Sequence, residues 1–220
     1  MNVLGFDTAT PAAAVAVLRS DGALFEAREG APEGSRPLHS GRLLELSAQL
    51  LEQAGLGWGE VGIVAVGAGP GSYTGLRIAL ATARGLSRAG GAAVVGVSSL
   101  RALAEPVSGR PALALLDARR GEVFAAANRD GVELVAPLVG PPAVLRALAA
   151  RAGEGVLAIG DGALRYREML AGVELAADGS ALHELHAGAV CRLAAAGIEA
   201  PALPDYLRAP DAEIALGTTQ

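Results

Sequence analysis

Hydrophobic residues fall into short runs and longer periodic stretches, and the same order of elements occurs twice along the chain. Apolar runs of about four to eight residues between turn residues are typical of buried strands, whereas apolar positions three and four apart indicate amphipathic helices. Each half is predicted to contain three strands, a helix, a further strand and a further helix, and the first half continues with one more strand and helix. The predicted strands are 2–6, 13–18, 23–28, 63–66 and 93–97 in the first half, and 112–116, 122–127, 132–136 and 155–159 in the second.

The two halves are separated by a proline- and glycine-containing break at 106–110. We therefore predict an N-terminal domain at 1–105 and a smaller C-terminal domain at 106–220. Three meandering strands followed by alternating helices and strands predict an α/β fold of mixed sheets with helices on both faces. Two such halves in tandem predict a duplicated ribonuclease-H-like, or actin-like, architecture.

Two predicted helices of the first half, 40–54 and 74–89, have apolar faces wider than one sheet contact requires. Arginines at 77, 84 and 88 form the polar stripe of the second helix. These helices are either ordinary buried helices or helices shared between their own sheet and a partner protein. The apolar positions that carry this pattern are Leu43, Leu46, Leu50, Leu76, Ala79, Leu80, Ala83 and Leu86.

Composition excludes several kinds of chemistry. The 220-residue chain has a net charge of −5, and all 18 of its basic residues are arginine. An acidic chain is a poor sole binder of nucleic acid, and a chain without lysine has neither Schiff-base chemistry nor a P-loop lysine. The single cysteine excludes a disulfide framework. No apolar run reaches the length of a membrane span, and Asp7 stands where a signal-peptide core would lie, so we expect a cytoplasmic protein.

Two segments of the first half have features of a nucleotide site. Asp7, Thr8 and Thr10 follow the first strand, and a carboxylate beside hydroxyl groups suits Mg²⁺ and phosphate. Gly69 and Gly71 lie in a turn before a helix, which is a common anion-binding arrangement. The alternatives are equally simple: the first segment can be a turn that satisfies its own backbone, and the second a structural tight turn.

The second half offers three further candidates. Asp117 ends the first strand of that half, the position equivalent to Asp7, and could act beside Glu122 or form an ion pair within a hairpin. A helix is predicted from about 181 to 196, and His183 and His186 lie three apart on it, a spacing that can bind a metal. No third ligand is evident, so we predict no metal site. The segment 165–167, Arg-Tyr-Arg, is either a solvated helix edge or an RNA contact.

Five motifs resemble the TsaB family in both order and spacing. They are DTAT at 7–10, GPGSYTGLRIA at 69–79, GVSSL at 96–100, LDARRGEVF at 116–124 and PDYLR at 204–208. The second motif is the specific one, with Tyr73 and Ala79 replacing the usual Phe and Gly. The resemblance implies an actin-like (ASKHA) fold and a role in making threonylcarbamoyladenosine next to the anticodon of tRNA.

The resemblance also implies partners rather than a reaction of the chain's own. It implies a heterodimer with TsaD, the paralogue that transfers the threonylcarbamoyl group, and association with the ATPase TsaE. Without TsaD the same surface could form a homodimer, and tRNA would be met only indirectly, through the complex. TsaD binds its metal through two histidines four apart, whereas this chain has residues 98–103, Ser-Ser-Leu-Arg-Ala-Leu, at the equivalent position. We therefore expect a non-catalytic subunit with no cofactor of its own.

In this family the pairing surface is built from the first two helices, here 40–54 and 74–89. The implied apolar contacts are Leu43, Leu46, Leu50, Leu76, Leu80 and Ala83, and the implied polar contacts are Arg77 and Arg84. The competing class is an enzyme, an actin-like phosphotransferase or ATPase that acts through Asp7, Thr8 and Asp117.

Overall fold

The computed structural model of the chain describes residues 1–30 and 39–207, with only the backbone described at 39–41. The first sheet consists of β1 (Asn2–Asp7), β2 (Ala13–Leu18), β3 (Leu24–Glu29), β4 (Val61–Gly69) and β5 (Ala93–Ser98). The second consists of β6 (Ala112–Arg119), β7 (Glu122–Arg129), β8 (Val132–Gly140), β9 (Leu157–Ile159) and β10 (Glu174–Leu175). The α-helices are α1 (His39–Gln53), α2 (Tyr73–Gly90), α3 (Ser99–Ala104), α4 (Leu145–Ala152), α5 (Asp161–Arg165) and α6 (Ala187–Ala195).

Both sheets are mixed, which confirms the predicted α/β fold. The first has the strand order β3-β2-β1-β4-β5, and the second has the order β10-β9-β6-β7-β8. β1 pairs antiparallel with β2 and parallel with β4, and β6 pairs in the same way with β7 and β9. The central strands β1 and β6 are therefore equivalent, and Asp7 and Asp117 lie near their carboxyl ends.

The two faces of the first sheet are covered by helices from opposite ends of the chain. Because side chains alternate along a strand, Leu4 and Phe6 face α1 and α2, while Val3 belongs to the core formed with α6. Gly5 lets α6 come close, since a Cβ at that position would lie 2.5 Å from the Sγ of Cys191. Cys191 is buried, and burial raises the pKa of its thiol to about 12.

The strands divide between the two halves as the sequence predicts, but the helices do not. Every strand of the first sheet precedes residue 106, and every strand of the second follows it. However, α6 comes from the second half and packs against the first sheet. The division into domains at 1–105 and 106–220 stays a prediction. Within the described ranges, no helix has the length and apolar character that crossing a membrane requires.

The helix predicted from about 181 to 196 is wrong in its first part. A 3₁₀ turn covers Ala181–His183, the backbone at Glu184 and His186 is extended, and α6 begins only at Ala187. His183 and His186 therefore do not share a helix face. His183 is buried, with its ring nitrogens 3.0 Å and 3.1 Å from two backbone carbonyl oxygens. Among the residues with described positions, no three His, Cys, Asp or Glu side chains form a group that could hold a metal ion.

Candidate functional site

Asp7 is engaged by its own chain. Its side chain is buried, with Oδ1 accepting a hydrogen bond from the Ala9 amide and Oδ2 accepting one from the Ser99 hydroxyl, each at 2.7 Å. Burial raises the pKa of Asp7, and the two hydrogen bonds oppose that shift. The bond to Ala9 is an Asx-turn, so the structure gives Asp7 the backbone-satisfying role that the sequence left open.

The loop after β1 packs directly on the start of α2. Thr8 is buried, and its hydroxyl donates a hydrogen bond of 2.8 Å to the carbonyl oxygen of Gly75. A Cβ on Gly75 would lie 2.0 Å from the Thr8 carbonyl oxygen, so this position requires glycine. Thr10, further along the loop, is half-buried. The hydroxyl of Thr8 is thus directed at protein rather than at an open cleft.

The glycine-rich turn before α2 makes room for neighbouring parts of the protein. A Cβ on Gly67 would lie 2.0 Å from Oδ2 of Asp7, and one on Gly71 would lie 2.4 Å from the Cβ of Ala9. Gly69 has a φ of +110°, and a Cβ there would lie 3.0 Å from the carbonyl oxygen of Asp205. These close approaches account for the glycines as a packing requirement, which is the structural alternative named for this turn.

A stretch that we call the C-terminal segment (residues 200–207) lies over the same turn. Ala200 and Gly96 exchange two backbone hydrogen bonds, at 2.7 Å and 3.0 Å, along the edge of β5. The Asp205 amide donates to the Ala68 carbonyl at 2.7 Å, and burial raises the pKa of the Asp205 carboxyl. The last residue of the PDYLR motif, at 208, lies outside the described residues. The described part of the motif therefore attaches the C-terminal segment to the glycine turn.

The outer face of α2 carries the exposed side chains of the most specific motif. Tyr73 stacks on Tyr206 with ring centroids 4.7 Å apart, and the Arg77 guanidinium lies 5.2 Å from the centre of the Tyr73 ring. Arg84 donates a hydrogen bond of 2.9 Å to the Ala202 carbonyl. All three of the α2 side chains, Tyr73, Arg77 and Arg84, are exposed, so they are available to a partner.

The apolar residues predicted to contact a partner are corrected by their burial. All six are buried, with exposed fractions between 0% and 6%. Five of them lie in the core that α1 and α2 form with the first sheet, and Leu76 lies in the core shared with α3 and β6. Side chains that the chain's own core covers to this extent leave almost no surface for a direct contact with a partner. The residues concerned are Leu43, Leu46, Leu50, Leu76, Leu80 and Ala83.

Asp117 has different surroundings from Asp7. Its carboxylate accepts a hydrogen bond from the Arg119 amide at 3.0 Å and lies 3.5 Å from the Arg165 guanidinium. Its own amide donates to Asp161, whose pKa is raised by burial. The loop after β1 and the strand end at Asp117 contribute Ala9 and Ala118 to one buried apolar cluster. The two aspartates thus have separate sets of polar partners, and those of Asp117 include arginines of its own hairpin and of α5.

Sequence reasoning missed two of the residues that complete these arrangements. Ser99 holds Asp7 from a distance of 92 residues along the chain, and Asp161 supports Asp117 from a distance of 44. Both partners lie just after a strand, at the start of α3 and α5. Since the ends of neighbouring parallel strands meet at one edge of a sheet, a search for polar residues at those positions could have found them.

Comparison with known proteins identifies the family. A sequence model of the family described as TsaD: tRNA N6-adenosine threonylcarbamoyltransferase matches residues 30–217. The chain belongs to this family. The TsaB resemblance is confirmed by the Escherichia coli tRNA threonylcarbamoyladenosine biosynthesis protein TsaB, which is 35% identical over 128 residues, 56% of this chain and 53% of that protein. An uncharacterised protein of Mycobacterium leprae is 40% identical over 141 residues, 64% of this chain and 39% of that protein.

The alignments with these two relatives thus span about half or less of each relative's length. A match over almost the whole chain comes from a solved structure, YeaZ from Pseudomonas aeruginosa. It superposes with a TM-score of 0.73 at 29% identity and covers 94% of this chain and 99% of YeaZ. This match confirms the predicted actin-like fold for a TsaD-family member of this length.

Proposed function

We propose that this chain is a non-catalytic partner subunit for the formation of threonylcarbamoyladenosine in tRNA. It would pair with TsaD, the subunit that transfers the threonylcarbamoyl group, and would support the docking of TsaE. The similarity to TsaB of E. coli and the almost complete superposition on YeaZ support this role. The proposal places the chain in the cytoplasm and gives it no cofactor of its own.

The proposal that the chain is non-catalytic rests on how the residues at the end of β1 are covered by the rest of the chain. Asp7 and Thr8 are buried, and each makes hydrogen bonds to its own chain. The glycine turn that would face a phosphate is in contact with Ala9 and Asp205 instead. A nucleotide at this position would have to displace protein from Asp7, from the turn or from both. This arrangement favours a subunit that binds a partner over an enzyme that transfers phosphate.

The partner surface is better sought on the exposed faces of α1 and α2 than among their buried leucines. Leu44 is 46% exposed on α1, and Ala81 and Gly85 are exposed on α2. Small side chains allow the backbone of another helix to come close, and Arg77 and Arg84 flank them on the same side of α2. This face suits helix-on-helix packing with TsaD, or with a second copy of the chain when TsaD is absent.

The first experiment measures solution mass by light scattering, for the chain alone and mixed with its cognate TsaD. We expect a mixed species at the summed mass, formed at the expense of any homodimer. Ala81→Arg, which places a long charged side chain on the proposed face, should prevent that species. Ala150→Arg on α4 is the matched control, because Ala150 is also an exposed helical alanine.

Two outcomes would contradict the proposal. One is the absence of any mixed species at micromolar concentrations, and the other is a mixed species that Ala81→Arg and Ala150→Arg leave equally intact. A measurement of nucleotide binding by the isolated chain distinguishes the partner subunit from the competing class, an actin-like enzyme. Micromolar affinity for ATP with turnover would favour a phosphotransferase or ATPase acting through Asp7 and Asp117, whereas millimolar or absent affinity supports the partner subunit.

A further inference from the structure

The β6–β7 hairpin carries arginines where other hairpins of the chain carry Asp-Gly. The β2–β3 and β7–β8 turns use Asp-Gly pairs at 21–22 and 130–131, the residues that such turns favour. In the β6–β7 turn, Arg119 has a φ of +64°, Arg120 a φ of +51° and Gly121 a φ of +78°. A left-handed backbone is unfavourable for arginine, so turn geometry does not account for the two arginines. Unfavourable backbone conformations of this kind concentrate at functional sites.

Helix α5 brings a third arginine to the same place. The Nε of Arg165 lies 3.5 Å from Oδ1 of Asp117, and the Nε of Arg119 lies 3.8 Å from Oδ2 of the same carboxylate. Arg165 also lies over the ring of Tyr166, with its guanidinium 5.7 Å from the ring centre. The Tyr166 hydroxyl donates to the Glu122 carbonyl at 3.2 Å and so attaches α5 to the hairpin. We call Arg119, Arg120 and Arg165, together with Tyr166, the arginine cluster.

The arginines of the cluster face solvent, and the carboxylate of Asp117 lies behind them, while Glu122 on the same hairpin is half-buried. The side chains of Arg119 and Arg165 are 67% and 56% exposed, whereas that of Asp117 is 9% exposed. Arg120 is also exposed. Asp161 is half-buried, and burial raises the pKa of its carboxyl. An anion that approaches this surface therefore meets the guanidinium groups of Arg119 and Arg165 before it meets the carboxylate of Asp117.

We propose that the arginine cluster contacts the phosphate backbone of tRNA. Guanidinium groups bind phosphate oxygens in a bidentate manner, and such contacts position a nucleic acid without reading its sequence. This inference rests on the proposed role in tRNA modification and departs from the expectation that tRNA is met only through the complex.

The charge of the rest of the chain gives the arginine cluster its specificity. Because the net charge is −5, most of the surface does not attract RNA, and binding would be confined to a local excess of arginine. Tyr166 adds an aromatic surface beside Arg165, a combination typical of RNA contacts and less useful against an acidic protein. We therefore favour RNA over an acidic protein partner.

The test is the binding of unmodified tRNA, labelled for fluorescence anisotropy, by the chain alone and by the chain mixed with its cognate TsaD. The variant Arg119→Gln/Arg120→Gln/Arg165→Gln removes the three charges of the cluster. The matched control Arg129→Gln/Arg146→Gln/Arg151→Gln removes three charges from exposed arginines elsewhere. We expect the cluster variant to bind tRNA about tenfold more weakly than wild type. The slope of log affinity against log salt concentration should become about two less steep, because each lost phosphate contact reduces it by roughly 0.7–0.9. The control variant should keep most of the wild-type affinity for tRNA and most of the wild-type salt dependence.

Equal losses in the two triple variants, or no loss in the cluster variant with and without TsaD, would overturn the inference. Competition by polyglutamate as strong as that by tRNA would assign the cluster to an acidic protein and would overturn it as well. Light scattering of the cluster variant with TsaD separates this inference from the proposed function. If the cluster variant forms a normal complex with TsaD and keeps the wild-type affinity for tRNA, only the tRNA contact is refuted. If the wild-type chain forms no complex with TsaD, the partner role is refuted.

Discussion

β1 and β6 hold the same place in their sheets, and an aspartate stands near the carboxyl end of each. Asp7 is covered by the glycine turn and held by Ser99, whereas Asp117 stands behind exposed arginines on a hairpin. The first strand end is thus closed by packing, and the second is open to solvent. An equivalent position in a duplicated topology does not carry a function by itself, because the segments that cover the strand end decide what the aspartate can do.

The largest change in stability is expected when a side chain is added at the closed end of β1, where α2 packs on the loop. Gly75→Ala places a Cβ 2.0 Å from a backbone carbonyl oxygen that cannot move without displacing the loop after β1. We expect a loss of about 3 kcal/mol or more in the free energy of unfolding, because overpacking against backbone leaves little room for relaxation. Urea unfolding measures it.

The control is Gly85→Ala on the same helix, where a Cβ would meet no atom within 4 Å. This change should stabilise the protein by about 0.5–1 kcal/mol, since alanine favours a helix interior over glycine. Similar stabilities of the two variants would show that the loop after β1 is not packed against α2 as described.

The second effect depends on pH and concerns the buried carboxyl of Asp7. Its folded-state pKa is raised above the ordinary value of 3.8 because of burial, so the folded state holds that proton more tightly than the unfolded state does. The wild type therefore loses stability as the pH rises from 3.8 through the raised pKa. Asp7→Asn cannot ionise; its amide oxygen can still accept from the Ala9 amide, and its NH2 group can donate to the Ser99 hydroxyl in place of the bond that Asp7 accepts. The stability of this variant relative to wild type should therefore rise over this interval and then level off.

Urea unfolding at a series of pH values measures this difference. Ser99→Ala is a useful companion, because it removes a hydrogen bond that lowers the pKa of Asp7 and should extend the interval to higher pH. Parallel pH profiles for wild type and Asp7→Asn would contradict the description of Asp7 as a buried ionisable group.

A smaller effect, of opposite sign, is expected at the open end. Arg119→Asn replaces an arginine at a φ of +64° with a residue that tolerates a left-handed backbone. We expect a gain of about 0.5–1 kcal/mol in the free energy of unfolding. Arg129→Asn removes the same charge from a strand residue outside the left-handed region and should give no gain. A loss of stability in Arg119→Asn would mean that the arginine contributes to folding.

An effect of similar size concerns the contact between Tyr73 and Tyr206, which joins the C-terminal segment to α2. A double-mutant cycle with alanine at both positions should give a coupling energy of about 0.5–1 kcal/mol, as expected for a stacked pair. A cycle between Tyr73 and Tyr166, which lies at the end of α5, should give a coupling near zero. Equal coupling energies in the two cycles would argue against a specific stacking contact.

The sequence predicted the elements well because the signals that define strands are local. The pattern placed β2 at the observed bounds and β1, β4 and β6 within a few residues of theirs. The helix predicted through His183 failed because Glu184 and His186 take extended conformations. The two histidine side chains of this stretch contact other parts of the structure. His183 lies between two backbone carbonyl groups, and His186 lies 3.5 Å from Glu26. Tertiary contacts of this kind override helical spacing.

The candidate site was harder to predict, for a different physical reason. Periodicity identifies Leu46 and Leu80 as apolar positions of their helices, but it does not say whether their own sheet or a partner covers them. The structure shows that their own sheet does. The close approach of Asp205 to Gly69 was equally hidden, since the two residues come from distant parts of the chain. The sequence pattern thus indicates which helix or strand a residue belongs to, but not which other part of the protein its side chain contacts.

The position of α6 has a consequence for protein synthesis. One face of the first sheet is covered by a helix that starts at Ala187, and the edge of β5 is paired with Ala200. A ribosome makes these residues long after it has made β1. The early strands therefore leave the ribosome with one apolar face uncovered, and the first sheet can be completed only when the residues up to 200 have emerged. During that interval, chaperones that bind apolar surface would have an exposed sheet face to protect.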